Sequence, residues 1–251
     1  MPTLPAIDAP GGAYRERAIV SGRTALLSVD MQQGEFNEGL LARARTTGTL
    51  ESKQIDFYER IADVVLPNQA RLQAAARKFG VEVIFTVIES LTRDGRDRSL
   101  DHKISGIHVP KGSSDAKVIG AVAPQGDEII VTKTASGVFN STNIEYVLRN
   151  LNVEYLVIYG IVTDQCVEST IRDAADRGFL VTQVDDCCAA YTPEDHAASV
   201  ASMRGHYCRT RTTSELIDED GRYDLVVQRR VGWALNRPWP ALFSPQEPAE
   251  S

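Results

Sequence analysis

The chain has 251 residues, of which 43 % are hydrophobic and 24 % are charged, and this composition excludes a disordered, collagen-like or disulfide-rich protein. The 27 basic residues against 34 acidic ones leave a net charge of −7 without any basic run, so we expect neither nucleic acid nor an anionic membrane as partner. No apolar stretch reaches the ~20 residues that span a bilayer, and the N-terminus does not resemble a signal peptide. With four cysteines and no disulfide framework, we expect a cytoplasmic protein.

Short apolar runs recur along the chain, and their length predicts buried strands rather than helices. The predicted strands are Thr24–Asp30, Val81–Val87, Glu128–Thr132, Glu154–Gly160, Phe179–Val184 and Cys208–Thr212. Helical spacing and capping residues predict Asp56–Phe79 with a kink or new start at Pro67, Ser141–Asn150 with Ser141 as N-cap, Thr163–Arg177 ended by Gly178, and Pro193–Met203 with Thr192 as N-cap. Strands that alternate with helices form β-α-β units. We therefore predict an α/β fold in three layers, a doubly wound, mostly parallel six-stranded sheet with helices on both faces.

Two long connections and the C-terminal tail fall outside this alternation. Residues 31–52 are predicted to form a loop. Residues 89–126 are predicted to form a long polar excursion, and loops of this length usually carry function or form subunit contacts. The tail contains Trp233 and Trp239 and is too apolar to hang free, so we expect it to pack on the body or on a neighbouring subunit. The whole chain, residues 1–251, is predicted as a single domain with a core at about 22–212, an N-terminal arm 1–21 and a C-terminal extension 213–251.

Three reactive side chains follow predicted strands. Asp30 ends the first strand, Lys133 follows the third, and Cys166 opens the helix after the fourth. Ligands of doubly wound sheets bind outside the carboxyl ends of the strands, so these groups are expected to converge there. A helix N-terminus and a nearby ammonium lower the pKa of a thiol, and a carboxylate beside it can accept its proton. The set predicts nucleophilic catalysis by Cys166.

The sequence around these residues resembles that of one known family, the isochorismatase-like cysteine hydrolases. Residues 160–174 (GIVTDQCVESTIRDA) resemble its nucleophile segment. Residues 29–32 (VDMQ) with Phe36 resemble its opening segment, and Lys133-Thr134 followed by Ser136, Phe139 and Thr142 resembles its lysine segment. The three segments match in order and spacing over about residues 22–212, and their combination is specific.

The resemblance implies a mechanism. Cys166 attacks an amide carbonyl to form an acyl-enzyme, Asp30 moves the protons, and Lys133 holds the pair in place. The family also has a cis peptide at the position of Ile161–Val162, which implies an oxyanion hole formed by the backbone N–H groups of Val162 and Cys166. Loss of one such donor costs about 10²–10³-fold in rate.

Within the family, the residues favour ureide amidohydrolases. Nicotinamidases carry a D-x-H…H metal constellation, whereas Gln32 and Gln33 follow Asp30 here, so we expect no metal and no cofactor. Isochorismatases proper usually lack the cysteine. Triuret or biuret is the first choice of substrate, with ureidoacrylate or an N-carbamoyl amino acid as alternative. A maleamate or nicotinamide amidase is a rival that needs a cationic clamp such as Arg204 or Lys103, and a catalytically silent binding relative also stays open.

A buried ureide needs polar partners for its N–H and C=O groups. Glu89 is of particular interest, because a carboxylate accepts N–H bonds from a neutral ureide and repels a carboxylate substrate. The candidate substrate-binding residues are Gln32, Phe36, Asn37, Glu89, Phe139, Ile161, Arg204, His206 and Tyr207.

Since the family that the sequence resembles forms dimers and tetramers, we expect a homodimer or homotetramer.

Overall fold

The computed structural model describes residues 6–8, 10–36, 39, 41, 42, 46 and 52–219. Its strands are β1 Thr24–Val29, β2 Glu82–Ile88, β3 Ile130–Lys133, β4 Tyr155–Ile161, β5 Leu180–Ala189 and β6 Cys208–Arg211. They form one six-stranded sheet in the order β3-β2-β1-β4-β5-β6, in which every neighbouring pair is parallel. The predicted fold class is confirmed, and the largest difference in strand bounds is that β5 continues to Ala189 instead of ending at Val184.

Helices connect the strands. They are α1 Ser52–Arg60, α2 Leu66–Lys78, α3 Leu100–Ile104, α4 Val138–Ser141, α5 Ile144–Asn150, α6 Glu168–Asp176 and α7 Pro193–Met203. Wider π-helical turns at Ile61–Val65 and Thr163–Val167 precede α2 and α6, and short 3-10 turns lie at Pro10–Gly12, Ser21–Arg23, Ser114–Ala116 and Gly120–Val122. No helix in the described ranges is both long and apolar enough to cross a bilayer.

One helix prediction needs correction at its start, and one kink prediction is confirmed. The helix predicted from Ser141 begins at Ile144, because the Ser141 hydroxyl donates backwards to the Gly137 carbonyl at 2.7 Å instead of capping. The hydroxyl of Thr142 accepts the Ile144 N–H at 3.1 Å in its place. The kink predicted near Pro67 is the π turn just before it, since proline has no N–H to continue the regular ladder.

One glycine sets how closely the two central strands approach. Gly160 has a φ of 134° and pairs with Val29, and a Cβ at this position would lie 2.0 Å from the Val29 carbonyl oxygen. Only glycine allows this contact between the ends of β1 and β4. The residues that follow the two strands, Asp30 and Val162, are thereby brought together at the carboxyl edge of the sheet.

A buried ion pair ties the last strand to the segment after it. Arg209 is 1 % exposed, and its Nε donates to Thr182 Oγ1 at 2.8 Å. Its two terminal nitrogens lie 3.1 and 2.9 Å from the carboxylate oxygens of Glu219, in the helical residues 213–219. The predicted packing of Trp233 and Trp239 lies outside the described residues.

Candidate active site

The three reactive side chains predicted to converge do meet at the carboxyl edge. Lys133 Nζ lies 2.9 Å from Asp30 Oδ2 and 3.4 Å from Cys166 Sγ. The same ammonium donates to the carbonyl oxygens of Ala135 and Ser136 at 2.9 and 3.0 Å. Asp30 and Lys133 are 1 % and 0 % exposed, and Cys166 is 7 % exposed. The result is a buried carboxylate–ammonium pair in contact with a thiol.

Each member of this triad is placed by the end of a different strand. Asp30 follows β1 with a φ of 56°, a left-handed conformation that non-glycine residues adopt at a cost, and its N–H donates to the Thr86 carbonyl at 3.0 Å. Lys133 is the last residue of β3, two strands away, and reaches across the end of β2. Cys166 lies in the π turn after β4. The sheet therefore fixes all three groups from rigid elements.

The thiol is neutral at rest, which corrects the expectation of a lowered pKa. Burial and the carboxylate of Asp30 raise the pKa of Cys166 to about 12, and the opposing charge of Lys133 does not offset them. Burial likewise raises the pKa of Asp30 above its ordinary value, although Lys133 acts in the other direction. Burial alone would lower the pKa of Lys133, but the charges of Asp30 and Cys166 outweigh it and raise that pKa. The arrangement calls for a base that takes the thiol proton during attack.

The peptide bond between Ile161 and Val162 is cis, as the resemblance implied. Both residues are buried, and the Val162 carbonyl accepts the N–H groups of Gln165 and Val167 at 3.1 and 3.3 Å. These bonds attach the end of β4 to the turn that carries Cys166. The oxyanion hole itself stays a prediction.

Two of the candidate substrate-binding residues brace the excursion instead. The amide of Gln32 donates to the carbonyls of Ile88 and Asp115 at 3.0 and 3.1 Å and accepts the Ile88 N–H at 2.6 Å, so both of its donors are used. Glu89 Oε1 accepts the Gly112 N–H at 2.8 Å and closes the loop at its base. Gln32 therefore has no amide donor left for a substrate, whereas Glu89 uses one carboxylate oxygen for the loop and its contact with substrate stays a prediction.

Phe36 and Phe139 occupy different surroundings. Phe36 is buried at the carboxyl edge, with its ring centroid 5.9 Å from that of Tyr58. Phe139 packs on Phe179 at 5.9 Å and beneath the guanidinium of Arg177, at the end of α6 opposite Cys166. These contacts do not support a place for Phe139 beside the substrate, and its contact with substrate stays a prediction, as does that of Phe36.

The assignment of Arg204, His206 and Tyr207 to the substrate pocket is wrong. These residues join α7 to the start of β6, so they lie at the amino edge of the sheet. His206 and Tyr207 line a separate cavity of about 680 Å³ together with Leu180, the first residue of β5. A helix that follows a strand carries the chain back to the opposite edge, which excludes this loop from the site. Asn37 lies outside the described residues.

Three residues that follow or face the segment after Asp30 were not predicted from the sequence. Glu35 lies in the turn after Asp30, Tyr58 is on α1, and Tyr191 follows β5. The charge of Glu35 raises the pKa of Tyr58 and that of Tyr191, after the effect of burial on each. The signal that could have found Glu35 is its position five residues after Asp30 in the same segment.

His196 also contacts the π turn that carries Cys166. Thr163 Oγ1 lies 2.9 Å from His196 Nδ1, and His196 Nε2 lies 3.1 Å from Asp185 Oδ1. Ser199 donates to the Thr163 carbonyl at 3.3 Å. Helix α7 thus fixes the first residue of the turn that carries Cys166.

Comparison with known proteins identifies the family. The isochorismatase domain model matches residues 24–215. The chain belongs to the isochorismatase family. A probable inactive nicotinamidase from Arabidopsis thaliana is 32 % identical over 78 % of this chain and 95 % of the relative, and a ureidoacrylate amidohydrolase from Variovorax paradoxus is 31 % identical over 74 % and 77 %. The crystal structure of a cysteine hydrolase from Pseudomonas syringae pv. phaseolicola superposes with a TM-score of 0.68 at 26 % identity, covering 82 % of this chain and 96 % of that one.

Proposed function

We propose that this family member is a cysteine-dependent amidohydrolase that cleaves a C–N bond of a small linear ureide and releases ammonia. The observation that carries the proposal is the buried contact of Lys133 Nζ with Asp30 and Cys166. A nucleophile, a base and a fixed cation in one water-poor site are the groups that acyl transfer through a thiol requires.

In the first half of the reaction, the Cys166 sulfur attacks the amide carbonyl carbon while its proton passes to Asp30. The oxyanion that forms accepts hydrogen bonds from the N–H groups of Val162 and Cys166. As the C–N bond breaks, Asp30 returns the proton to the leaving nitrogen, which departs as ammonia. The raised pKa of Asp30 suits this exchange, because it brings the base closer in proton affinity to its partners.

In the second half, water attacks the thioester-type carbonyl and Asp30 accepts its proton. The C–S bond breaks, the acid product leaves, and the proton returns to Cys166. Lys133 stays charged throughout and keeps the carboxylate ionised. These reaction steps use only water and groups of the chain, so we propose that turnover needs no added metal.

The substrate we put first is triuret or biuret, followed by ureidoacrylate or an N-carbamoyl amino acid. The relative from Variovorax paradoxus supports the ureide class, since its name places ureidoacrylate among the substrates of a similar chain. We further propose a homodimer or homotetramer in the cytoplasm.

A silent binding protein is the second candidate. The observation that favours it is the similarity to a probable inactive nicotinamidase. The presence of the complete triad favours turnover, although such residues can persist without activity.

The test is ammonia release from triuret, biuret, ureidoacrylate, N-carbamoylsarcosine, maleamate and nicotinamide in the presence of a chelator. Cys166→Ser is the variant, and Cys208→Ser is the matched control because Cys208 is a buried cysteine on β6. Release that is lost in Cys166→Ser and kept in Cys208→Ser is expected. Release that survives Cys166→Ser contradicts the mechanism, and silence of the unmodified chain on every amide favours the binding protein.

A further inference from the structure

We propose that the cavity of about 680 Å³ at the amino edge of the sheet is a second binding site, for a small organic phosphate monoester. It lies at the opposite edge of the sheet from Asp30, Lys133 and Cys166, so the proposal does not depend on the proposed function. Two observations carry it. The N-terminal arm and the sheet form the pocket together, and two arginines in its wall have no carboxylate partner among the described residues.

The cavity lies between the N-terminal arm and the amino edge of the sheet. The body of the protein contributes Glu154, which directly precedes β4, and Leu180, the first residue of β5, together with the end of α6 and the loop before β6. The arm contributes Tyr14, Arg15 and Arg17. The volume is within the range of about 300–1,000 Å³ that is typical of small-molecule sites.

The arm is attached to the body at two points. Arg15 Nη1 donates to the carbonyl of Gly205, in the loop before β6, at 2.6 Å. A carboxylate oxygen of Glu16 lies 2.9 Å from Arg211 Nη2, on the last residue of β6. Since these contacts hold the arm without any ligand, the cavity is preformed, which lowers the entropic cost of binding.

Arg15 and Arg17 supply positive charge to the cavity wall. Arg17 Cζ lies 3.8 Å from the centroid of the Tyr14 ring, and Arg17 Nε donates to the Tyr14 carbonyl at 3.1 Å. Stacking uses the face of a guanidinium group and leaves the terminal N–H groups at its edge for hydrogen bonds. Both arginines are partly buried, and within the part of the chain that the structure describes neither forms an ion pair.

The other charged groups of the wall do not cancel these two charges. Glu154 is already in an ion pair with Arg23, which does not line the cavity. Asp176, the last residue of α6, is exposed, so water and salt screen its carboxylate. Arg149 has its own acidic partner, Glu145, at 3.5 Å. The two arginines of the arm therefore remain as partly buried cations that an anionic ligand can pair with.

A phosphate monoester matches this pair of cations. It carries about −1.5 to −2 charges at pH 7 and three strong acceptor oxygens, and each guanidinium group can donate to it in a fork. The cavity also has room for an organic group beside the phosphate. The rings of His206 and Tyr207, whose centroids are 4.9 Å apart, lie in the same wall and offer that group aromatic surface.

Calorimetric titration of the full chain with matched probes tests the proposal. AMP and ribose 5-phosphate each carry a phosphate monoester, and adenosine and ribose are their uncharged counterparts. We expect both phosphates to bind and both uncharged compounds to give no measurable binding. Succinate, which carries two carboxylates, tests whether a different dianion serves as well, and we expect it to bind more weakly than either phosphate.

Two variants of the wall have opposite expected effects on the Kd of AMP. Arg17→Gln removes a charged donor and raises the Kd at least about tenfold, and Arg17→Lys, which keeps the charge without the fork, gives an intermediate value. Asp176→Asn removes a negative charge from the wall and lowers the Kd about twofold or more, a gain that partial unfolding does not produce. Arg93→Gln, at an exposed arginine of the excursion, is the control and leaves the Kd unchanged.

Several results would overturn the proposal. Equal Kd values for AMP and adenosine would show that the phosphate is not recognised, and tighter binding of succinate would contradict the choice of a phosphate. Absence of binding by both phosphates would remove the site altogether. An unchanged Kd in Arg17→Gln, or an equal loss of affinity in Arg93→Gln, would show that AMP binds elsewhere on the chain.

Discussion

The ammonium of Lys133 lies 2.9 Å from the carboxylate of Asp30, and both side chains are almost completely withdrawn from water. Burial of either charge alone carries a large desolvation cost, so each ion depends on the other. The pair leaves the neighbouring thiol of Cys166 protonated, because the carboxylate and burial raise its pKa to about 12. The resting site is thus a thiol beside a buried ion pair, and the mechanism proposed above begins with proton transfer to Asp30.

The pH dependence of kcat/KM follows from Asp30. Burial raises the pKa of this carboxyl above its ordinary value of 3.8, and only the ionised form accepts the thiol proton. Activity is present above the raised pKa and falls as the pH drops through it. A pH profile on biuret checks this, and full activity maintained down to pH 3.8 contradicts the role of Asp30 as base.

Replacement of the cation has a directed effect on the same profile. Lys133→Met removes the charge that opposes the burial effect on Asp30, so the acid limb of kcat/KM moves to higher pH. We also expect kcat/KM of Lys133→Met to be about 10²–10⁴-fold below that of the unmodified chain, which is the range for lost proton transfer. Lys111→Met, which alters an exposed lysine of the excursion, is the control. An unchanged acid limb in Lys133→Met shows that the lysine does not act through Asp30.

Gly160→Ala tests whether the contact between β1 and β4 positions the site. A Cβ would lie 2.0 Å from the Val29 carbonyl oxygen, so the strands must separate where Asp30 begins. We expect a loss of about 3 kcal/mol in the free energy of unfolding together with loss of activity. Gly120→Ala is the matched control, since nothing lies within 4 Å of its Cβ position. Wild-type activity in Gly160→Ala contradicts this account of the fold.

Glu219→Gln tests the buried pair at the other edge of the sheet. It leaves the charge of Arg209, whose side chain is 2 % exposed, without its bidentate partner, and we expect a loss of about 3 kcal/mol in the free energy of unfolding. The exposed pair of Glu145 with Arg177 is the control. We expect Glu145→Gln to lower the free energy of unfolding by less than about 1 kcal/mol. Urea unfolding measures both. If Glu219→Gln unfolds with the same free energy as the unmodified chain, the segment that contains Glu219 is not held through Arg209.

The sequence predicts the sheet and the convergence of Asp30, Lys133 and Cys166 because both depend on strong signals. Apolar runs of strand length between helical segments permit few topologies, and the carboxyl-edge rule then places three strand ends together. The same rule excludes Arg204, His206 and Tyr207, which precede β6 rather than follow a strand.

The pKa of Cys166 could not be predicted from the sequence, for a different reason. This pKa depends on a balance of burial against neighbouring charges, and burial is a property of the packed structure. A helix N-terminus and a lysine suggest an ionised thiol, whereas enclosure beside Asp30 reverses the outcome.

The central claim is that Cys166 becomes acylated with Asp30 as the base. Intact-protein mass spectrometry after rapid mixing with biuret or triuret measures this directly, in the unmodified chain and in Cys166→Ser. The account predicts an added mass equal to substrate minus ammonia on the peptide that contains Cys166, absent in the variant. Steady ammonia release without any adduct, or an adduct on another cysteine, would contradict it.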